Sequence, residues 1–155
     1  MIDKQNIIDL TEQYLLLAET ESYLVAVDIE KDNRIVVTID NDGGVDIDEC
    51  VNISNYLEDH LDRDAEDFEL EVGSAGLSMP LRILRQYQKY EGKRMEVLCK
   101  DGKKLVGTLG KADAEGFDLT VTRKVKPEGA KKKIDVTETM HLPFYLVNSV
   151  KYSFD

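Results

Sequence analysis

The stretch Leu70-Glu71-Val72-Gly73-Ser74-Ala75-Gly76-Leu77-Ser78-Met79-Pro80-Leu81-Arg82 marks the point at which this 155-residue chain changes character. Its first part predicts a strand, which begins near Phe68 and ends at the small residues 73–76. Pro80 removes a backbone donor and disfavours helical geometry at the residue before it. We therefore expect residues 77–82 to connect two domains.

The net charge changes sign at this connection. Residues 1–82 carry 5 basic and 21 acidic side chains, a net of 5 − 21 = −16. Residues 83–155 carry 15 basic and 10 acidic side chains, a net of 15 − 10 = +5, which completes the total of −11. An acidic domain at 1–82 attracts basic protein, and a basic domain at 83–155 tolerates phosphate. The simpler alternative is that the acidic surface serves solubility alone.

The acidic half predicts the element order α-β-β-α-β. Residues 4–19 have helical spacing, with Asp3 as the cap. Two alternating apolar segments on either side of the turn at 31–33 predict a β-hairpin. A second helix opens at an acidic capping box that starts at Asp46. Its expected inward face consists of Ile47, Val51, Ser54, Leu57 and Leu61.

The basic half predicts short strands and tight turns after a short helix at 82–90. Alternating apolar residues occur around the Asp101-Gly102 turn signal, and the same pattern resumes up to Phe154. Several short strands within so few residues predict a small β-barrel. The expected fold class is therefore α+β, with an N-terminal α-β-β-α-β domain followed by a C-terminal barrel.

Few residues indicate catalysis or metal binding. Cys50 and Cys99 have no CxxC spacing, which is typical of reduced thiols, and we expect structural roles for His60 and His141. The acidic segment 40–51 is not a calcium loop, because its twelfth position is Val51 where a glutamate is needed. Residues 73–76 lack the Gly-Lys-Ser/Thr ending of a phosphate loop. We expect no enzyme activity, no metal site and no cofactor.

The termini and hydropathy predict a cytoplasmic protein. The N-terminus has no basic segment followed by an apolar one, so no signal peptide is expected. No apolar run approaches the ~20 residues that span a bilayer, so no membrane partner is expected either.

A basic segment at 123–133 is the clearest candidate for phosphate binding. Pro127 and Gly129 predict a solvent-exposed hairpin loop. Its cationic side chains can contact phosphates, in a manner that weakens with salt. No aromatic residue is interleaved, which argues against base stacking by this loop, and a solubilising loop is the alternative. The candidate residues are Arg123, Lys124, Lys126, Lys131, Lys132 and Lys133.

The segment 70–81 resembles the motif of the ribosome maturation factor RimP family, which reads approximately Leu-Glu-Val-Ser-Ser-Pro-Gly-Leu-Asp-Arg-Pro-Leu. Eight of its twelve positions match: Leu70, Glu71, Val72, Ser74, Gly76, Leu77, Pro80 and Leu81. Ala75, Ser78 and Met79 replace the Pro, Asp and Arg of the family, so we expect a contact made by those groups to be absent or relocated here. The resemblance extends over most of the chain.

This resemblance implies an SH3-like (Sm-like) barrel at the C-terminus and a non-enzymatic role in maturation of the small ribosomal subunit. It implies a factor that associates with free small subunits. We expect a monomer, with a basic ribosomal protein and rRNA as its partners. Candidate residues of a functional border region are Glu71, Ser74, Gly76 and Pro80. The alternative function is an Sm-like RNA-binding regulator, which requires a multimeric ring.

Overall fold

Two units make up the computed structural model, which describes residues 2–77, 79–129 and 131–154. The first unit extends to Gly76 and the second begins at Leu77. Each unit has its own hydrophobic core. Among the described residues, no helix combines the length and the apolar character that crossing a bilayer requires.

Helix α1 spans Lys4–Leu17 and begins at an aspartate cap. Asp3 Oδ1 accepts a hydrogen bond from the amide of Gln5 at 3.0 Å, which satisfies one of the unpaired amides of the first turn. The buried face has helical spacing and consists of Ile7, Thr11 and Leu15. The predicted end at residue 19 is wrong by two residues, because Glu19 has a φ of 53°, which a right-handed helix does not accommodate.

The first unit contains a three-stranded sheet in the order β1-β2-β3. Strand β1 (Tyr23–Glu30) pairs antiparallel with β2 (Arg34–Asp40), and a short 3₁₀ turn at Lys31–Asn33 joins them. Strand β3 (Glu69–Ser74) lies parallel to β2 at the edge of the sheet. The central strand β2 supplies three fully buried side chains to the core, which are Ile35, Val37 and Ile39.

Helix α2 (Ile47–His60) is the crossover between the parallel strands β2 and β3. Asp46 caps it by accepting a hydrogen bond from the amide of Asp48 at 3.0 Å. The capping box is incomplete, because the Glu49 carboxylate accepts the hydroxyl of Thr20 at 2.7 Å.

The predicted inward face of α2 is partly wrong. Ile47 is 79% exposed and Val51 is 50% exposed, whereas Ile53 and Leu57 are fully buried. Leu57 belongs both to the predicted inward face and to the observed one. Ile53 points inward because it lies on the same side of the helix as Cys50, and both side chains pack against the core of the first unit. This rotation leaves two large apolar side chains on the outside of the first turn.

The second unit is a five-stranded antiparallel sheet in the order β7-β6-β5-β4-β8, preceded by the short helix α3. Its core includes Tyr87 of α3 and the fully buried Phe117 of β6. The bounds are Leu84–Lys89 for α3, Arg94–Cys99 for β4, Lys104–Ala112 for β5, Gly116–Val125 for β6, Ile134–Pro143 for β7 and Val147–Tyr152 for β8.

The predicted α+β class is therefore confirmed, with an α-β-β-α-β unit followed by an antiparallel sheet. In the described part of the chain, the strand pairings leave β7 and β8 as the two edges of the second sheet. Closure of this sheet into an SH3-like barrel stays a prediction.

Candidate functional site

Glu71, the first of the border residues, lies on the edge strand β3 and forms an ion pair with Arg34. Arg34 also lies 3.3 Å from a carboxylate oxygen of Glu30. The hydrogen bond and the charge of Glu71 raise the pKa of the Arg34 guanidinium. Since all three side chains are about half exposed, this is a surface charge cluster with a net charge of −1.

The other border residues lie where the chain leaves the first unit. Ser74 ends β3 and is exposed, and the following amide, of Ala75, donates to the Ile39 carbonyl at 2.9 Å. Gly76 and Pro80 are exposed. Leu81, one residue after Pro80, donates its amide to the Val150 carbonyl of β8 at 2.8 Å. Ser78 lies outside the described residues.

A dense acidic segment, defined here as residues 58–71, follows α2. It contains eight acidic side chains and one basic side chain, that of Arg63. Two nitrogens of Arg63 bind the Glu58 carboxylate, at 3.0 and 2.6 Å, and a third contact reaches Asp67 at 3.0 Å. The guanidinium also lies 4.1 Å from the centre of the Phe68 ring. One arginine thus orders the segment while most of its carboxylates remain in solvent.

The basic residues are carried by the hairpin of β6 and β7. Ten residue pairs join these strands, from Gly116↔Pro143 to Val125↔Ile134. The recorded pairing of β6 with β5 ends at Thr120↔Thr108, so the last five pairs form a two-stranded extension. We call this extension, together with the described residues 126–129 and 131–133, the basic arm.

Polar cross-strand pairs fix the register of this hairpin. The hydroxyls of Thr120 and Thr139 lie 2.9 Å apart, and those of Thr122 and Thr137 are at the same distance. Arg123 is held by an ion pair with Glu138. The structure therefore places Arg123 at the base of the basic arm. The other basic candidates are exposed toward its tip, and these are Lys124, Lys126, Lys131, Lys132 and Lys133.

A pocket of about 350 Å³ lies beside Arg123. Its wall contains apolar side chains from β5, β7 and the 3₁₀ turn Phe144–Leu146, and cations from the β4–β5 turn. The sequence pattern gave no indication of this pocket. The strand register does indicate its position. Leu105 would lie opposite Arg123 if the pairing of β5 with β6 continued, and the pocket lies where that pairing has ended.

The cysteine and histidine side chains are engaged in structural contacts. Burial raises the pKa of the Cys50 and Cys99 thiols, and nearby carboxylates raise both further. A raised pKa keeps a thiol protonated, so neither is an activated nucleophile. His60 Nδ1 lies 2.7 Å from the Tyr56 carbonyl oxygen, and His141 Nδ1 lies 3.0 Å from Asp118 Oδ1.

Comparison with known proteins identifies the family. The chain is 44% identical over 140 residues to a ribosome maturation factor RimP of Porphyromonas gingivalis, and the match covers 90% of this chain and 91% of that protein. The chain belongs to the RimP family. A RimP of Christiangramia forsetii is 39% identical over 123 residues, covering 79% of each chain. The sequence model of the RimP N-terminal domain matches residues 15–78, so the resemblance predicted from residues 70–81 is confirmed.

The RimP family motif therefore occupies a defined place. It begins in the edge strand β3 and continues past the last residue of the first unit. Two of the residues that differ from the family motif are described by the structure. Ala75 is half-buried, and Met79 is 43% exposed.

Proposed function

We propose that this protein is a non-catalytic, monomeric and cytoplasmic factor that binds free small ribosomal subunits and aids their maturation. The observation that carries the proposal is membership of a family of ribosome maturation factors, with RimP relatives matched along most of the chain. The contrast in charge between the two units supports a role in binding. The raised pKa of both thiols and the structural contacts of both histidines agree with a factor that acts without chemistry.

The acidic unit is proposed to face a basic ribosomal protein. Residues 1–76 carry 4 basic and 21 acidic side chains, a net of 4 − 21 = −17. Complementary potentials of this size raise encounter rates and orient the partners. Within this unit the acidic segment 58–71 is the densest anionic surface, and Glu71 lies at its end on β3. The border residues Glu71, Ser74, Gly76 and Pro80 are proposed to take part in this contact.

The basic arm is proposed to face rRNA. Its lysines are exposed, so contact with phosphate requires little desolvation of protein. Each phosphate contact releases counterions, and log K falls with log salt by roughly 0.7–0.9 per contact. Salt dependence is therefore the direct measure of this half of the proposal.

Sucrose-gradient sedimentation of the tagged protein in a cell lysate tests the proposal. We expect comigration with free small subunits and not with whole ribosomes. The variant Lys131→Gln/Lys132→Gln/Lys133→Gln is expected to lose comigration at moderate salt. With purified subunits its salt slope is expected to fall by about 2–3. The matched control is Lys93→Gln/Lys111→Gln/Lys151→Gln, which removes the same charge from exposed positions on the second unit.

Two results would overturn parts of this proposal. If the arm variant kept both affinity and slope, the rRNA contact by the basic arm would be wrong. If the native protein stayed at the top of the gradient even at low salt, binding to small subunits would be wrong. A multimeric ring that binds RNA on its own would then favour the Sm-like regulator.

A further inference from the structure

The pocket beside Arg123 lies past the point at which the ladder between β5 and β6 ends. Strands β5 and β6 approach each other closely at Gly107, because a Cβ at this position would overlap the backbone of Thr120. The ladder ends at Thr108, and two positions before Gly107 the side chains of Leu105 and Arg123, which would be opposite each other in the continued register, line the cavity. The floor is completed by partly buried side chains from β7 and by the 48% exposed Leu146. The apolar lining residues are Leu105, Met140, Leu142 and Leu146.

The rim of this pocket is cationic and built on hydrogen-bonded backbone. Lys100, Lys103 and Arg123 line it together with one acid, Asp101. The amide of Lys100 donates to the Leu146 carbonyl at 2.9 Å, which ties the β4–β5 turn to the opposite wall. Asp101 Oδ1 accepts the Lys103 amide at 2.9 Å, and the negative charge of Asp101 against the three cations leaves the lining with a net charge of 3 − 1 = +2. The pocket lining thus combines cations and apolar side chains next to a turn held by backbone hydrogen bonds.

We propose that this pocket binds one unstacked base of a single-stranded RNA segment, with the flanking phosphates on Lys100, Lys103 and Arg123. The inference rests on the proposed contact between the basic arm and rRNA, and it assigns that contact a specific site. A volume of about 350 Å³ lies at the lower end of the range of small-molecule sites and has room for one nucleobase. Single-stranded RNA offers unstacked bases to such pockets, whereas a duplex keeps its bases stacked inside the helix.

The surroundings of the pocket favour RNA over other anionic partners. Arg123, which is ion-paired with Glu138, belongs both to the pocket wall and to the base of the basic arm, so the cations of the pocket and those of the arm form a series that shares this residue. A repeating polyanion matches such a series, because each phosphate can meet one cation. Tyr145 precedes Leu146 in the same turn and is 72% exposed, which provides an aromatic ring for a neighbouring base.

Fluorescence anisotropy with a labelled single-stranded oligoribonucleotide of about ten nucleotides tests the proposal. Leu146→Gln changes no charge, and it is expected to weaken binding about fivefold while leaving the salt slope unchanged. Lys100→Gln/Lys103→Gln is expected to weaken binding at least about tenfold and to lower the slope by about 1.4. The matched control is Lys93→Gln/Lys111→Gln, two exposed lysines outside the pocket lining. Circular dichroism verifies that each variant is folded.

Cys99 gives a second readout inside the pocket. It lines the wall, so bound RNA is expected to slow its alkylation by a maleimide at mildly alkaline pH. The measurement uses a Cys50→Ser background, which leaves Cys99 as the single thiol. At an RNA concentration near the Kd of the native protein, protection is expected to be clearly reduced in Leu146→Gln.

Three outcomes would overturn the inference. They are unchanged RNA affinity in Leu146→Gln, an equal loss in the lysine control, and displacement of the RNA at equal concentration by a polyglutamate peptide of similar length. If the arm variant lost RNA while Leu146→Gln kept it, the pocket would be wrong and the function would stand. If the pocket bound RNA but the protein never comigrated with small subunits, the function would be wrong and the pocket would stand.

Discussion

Gly116, at the start of β6, shows how a single residue controls the approach of two strands. A Cβ at this position would overlap the Leu142 carbonyl oxygen and lie 2.9 Å from the Cα of Pro143. Both are backbone atoms, so relief requires movement of β7 itself. Glycine is therefore required at this position by the close packing of the hairpin that leads to the basic arm.

We expect Gly116→Ala to lower the free energy of unfolding by about 1–3 kcal/mol, the usual cost of inserting atoms into a packed site. Urea unfolding followed by circular dichroism measures this difference. Gly73→Ala is the control, because a Cβ at position 73 meets no atom within 4 Å and that strand residue has no positive φ. An equal loss in both variants would contradict the steric explanation.

At the scale of elements, the β5–β6 turn depends on an ionised aspartate. Asp113 Oδ1 accepts the amides of Glu115 at 2.9 Å and Gly116 at 3.1 Å. These hydrogen bonds hold the pKa of Asp113 below its usual 3.8, with a smaller contribution from His141. A depressed folded pKa gives stability that is complete above the unfolded pKa and is lost as pH falls through the folded pKa.

The variant Asp113→Asn is therefore expected to be less stable than the native protein at neutral pH. The difference should begin to shrink as pH falls below about 4, where the aspartate of the unfolded chain becomes protonated, and should be lost once the pH is below the depressed folded pKa. Urea unfolding of both proteins across that pH range measures it. Asp135→Asn, an exposed aspartate on β7, is the matched control. A difference that stayed constant down to low pH would exclude the carboxylate as its source.

The elements also show which features were readable from the sequence. Alternation predicted the strands and Asp3 predicted the start of α1, because both signals are local. The inward face of α2 was not decided locally, since Ile53 and Val51 are both apolar and only packing on the sheet selects between them. The pocket beside Arg123 arises from the end of a strand ladder, which side-chain periodicity does not encode. The assignments of the border residues and of the basic arm stay predictions.

At the scale of the whole molecule, the two cores predict two independently folding parts. Fragments 1–76 and 77–155 are each expected to unfold cooperatively, because each contains a complete buried cluster. Their formal charges are 4 − 21 = −17 and 16 − 10 = +6. At neutral pH we expect the first to be retained by an anion exchanger and the second by a cation exchanger. A fragment without a cooperative transition would contradict the division at Gly76.

The five residue pairs that extend β6 and β7 beyond Thr120 have a kinetic consequence. At ~3.4 Å per residue they hold the lysine tip roughly 17 Å from the last pairing with β5. This projection of the lysine tip from the base of the basic arm enlarges the capture radius of the arm, because an incoming strand can touch the tip before it reaches Arg123 at the base. Shortening the projection while keeping its lysines would then slow association and leave the dissociation rate nearly unchanged.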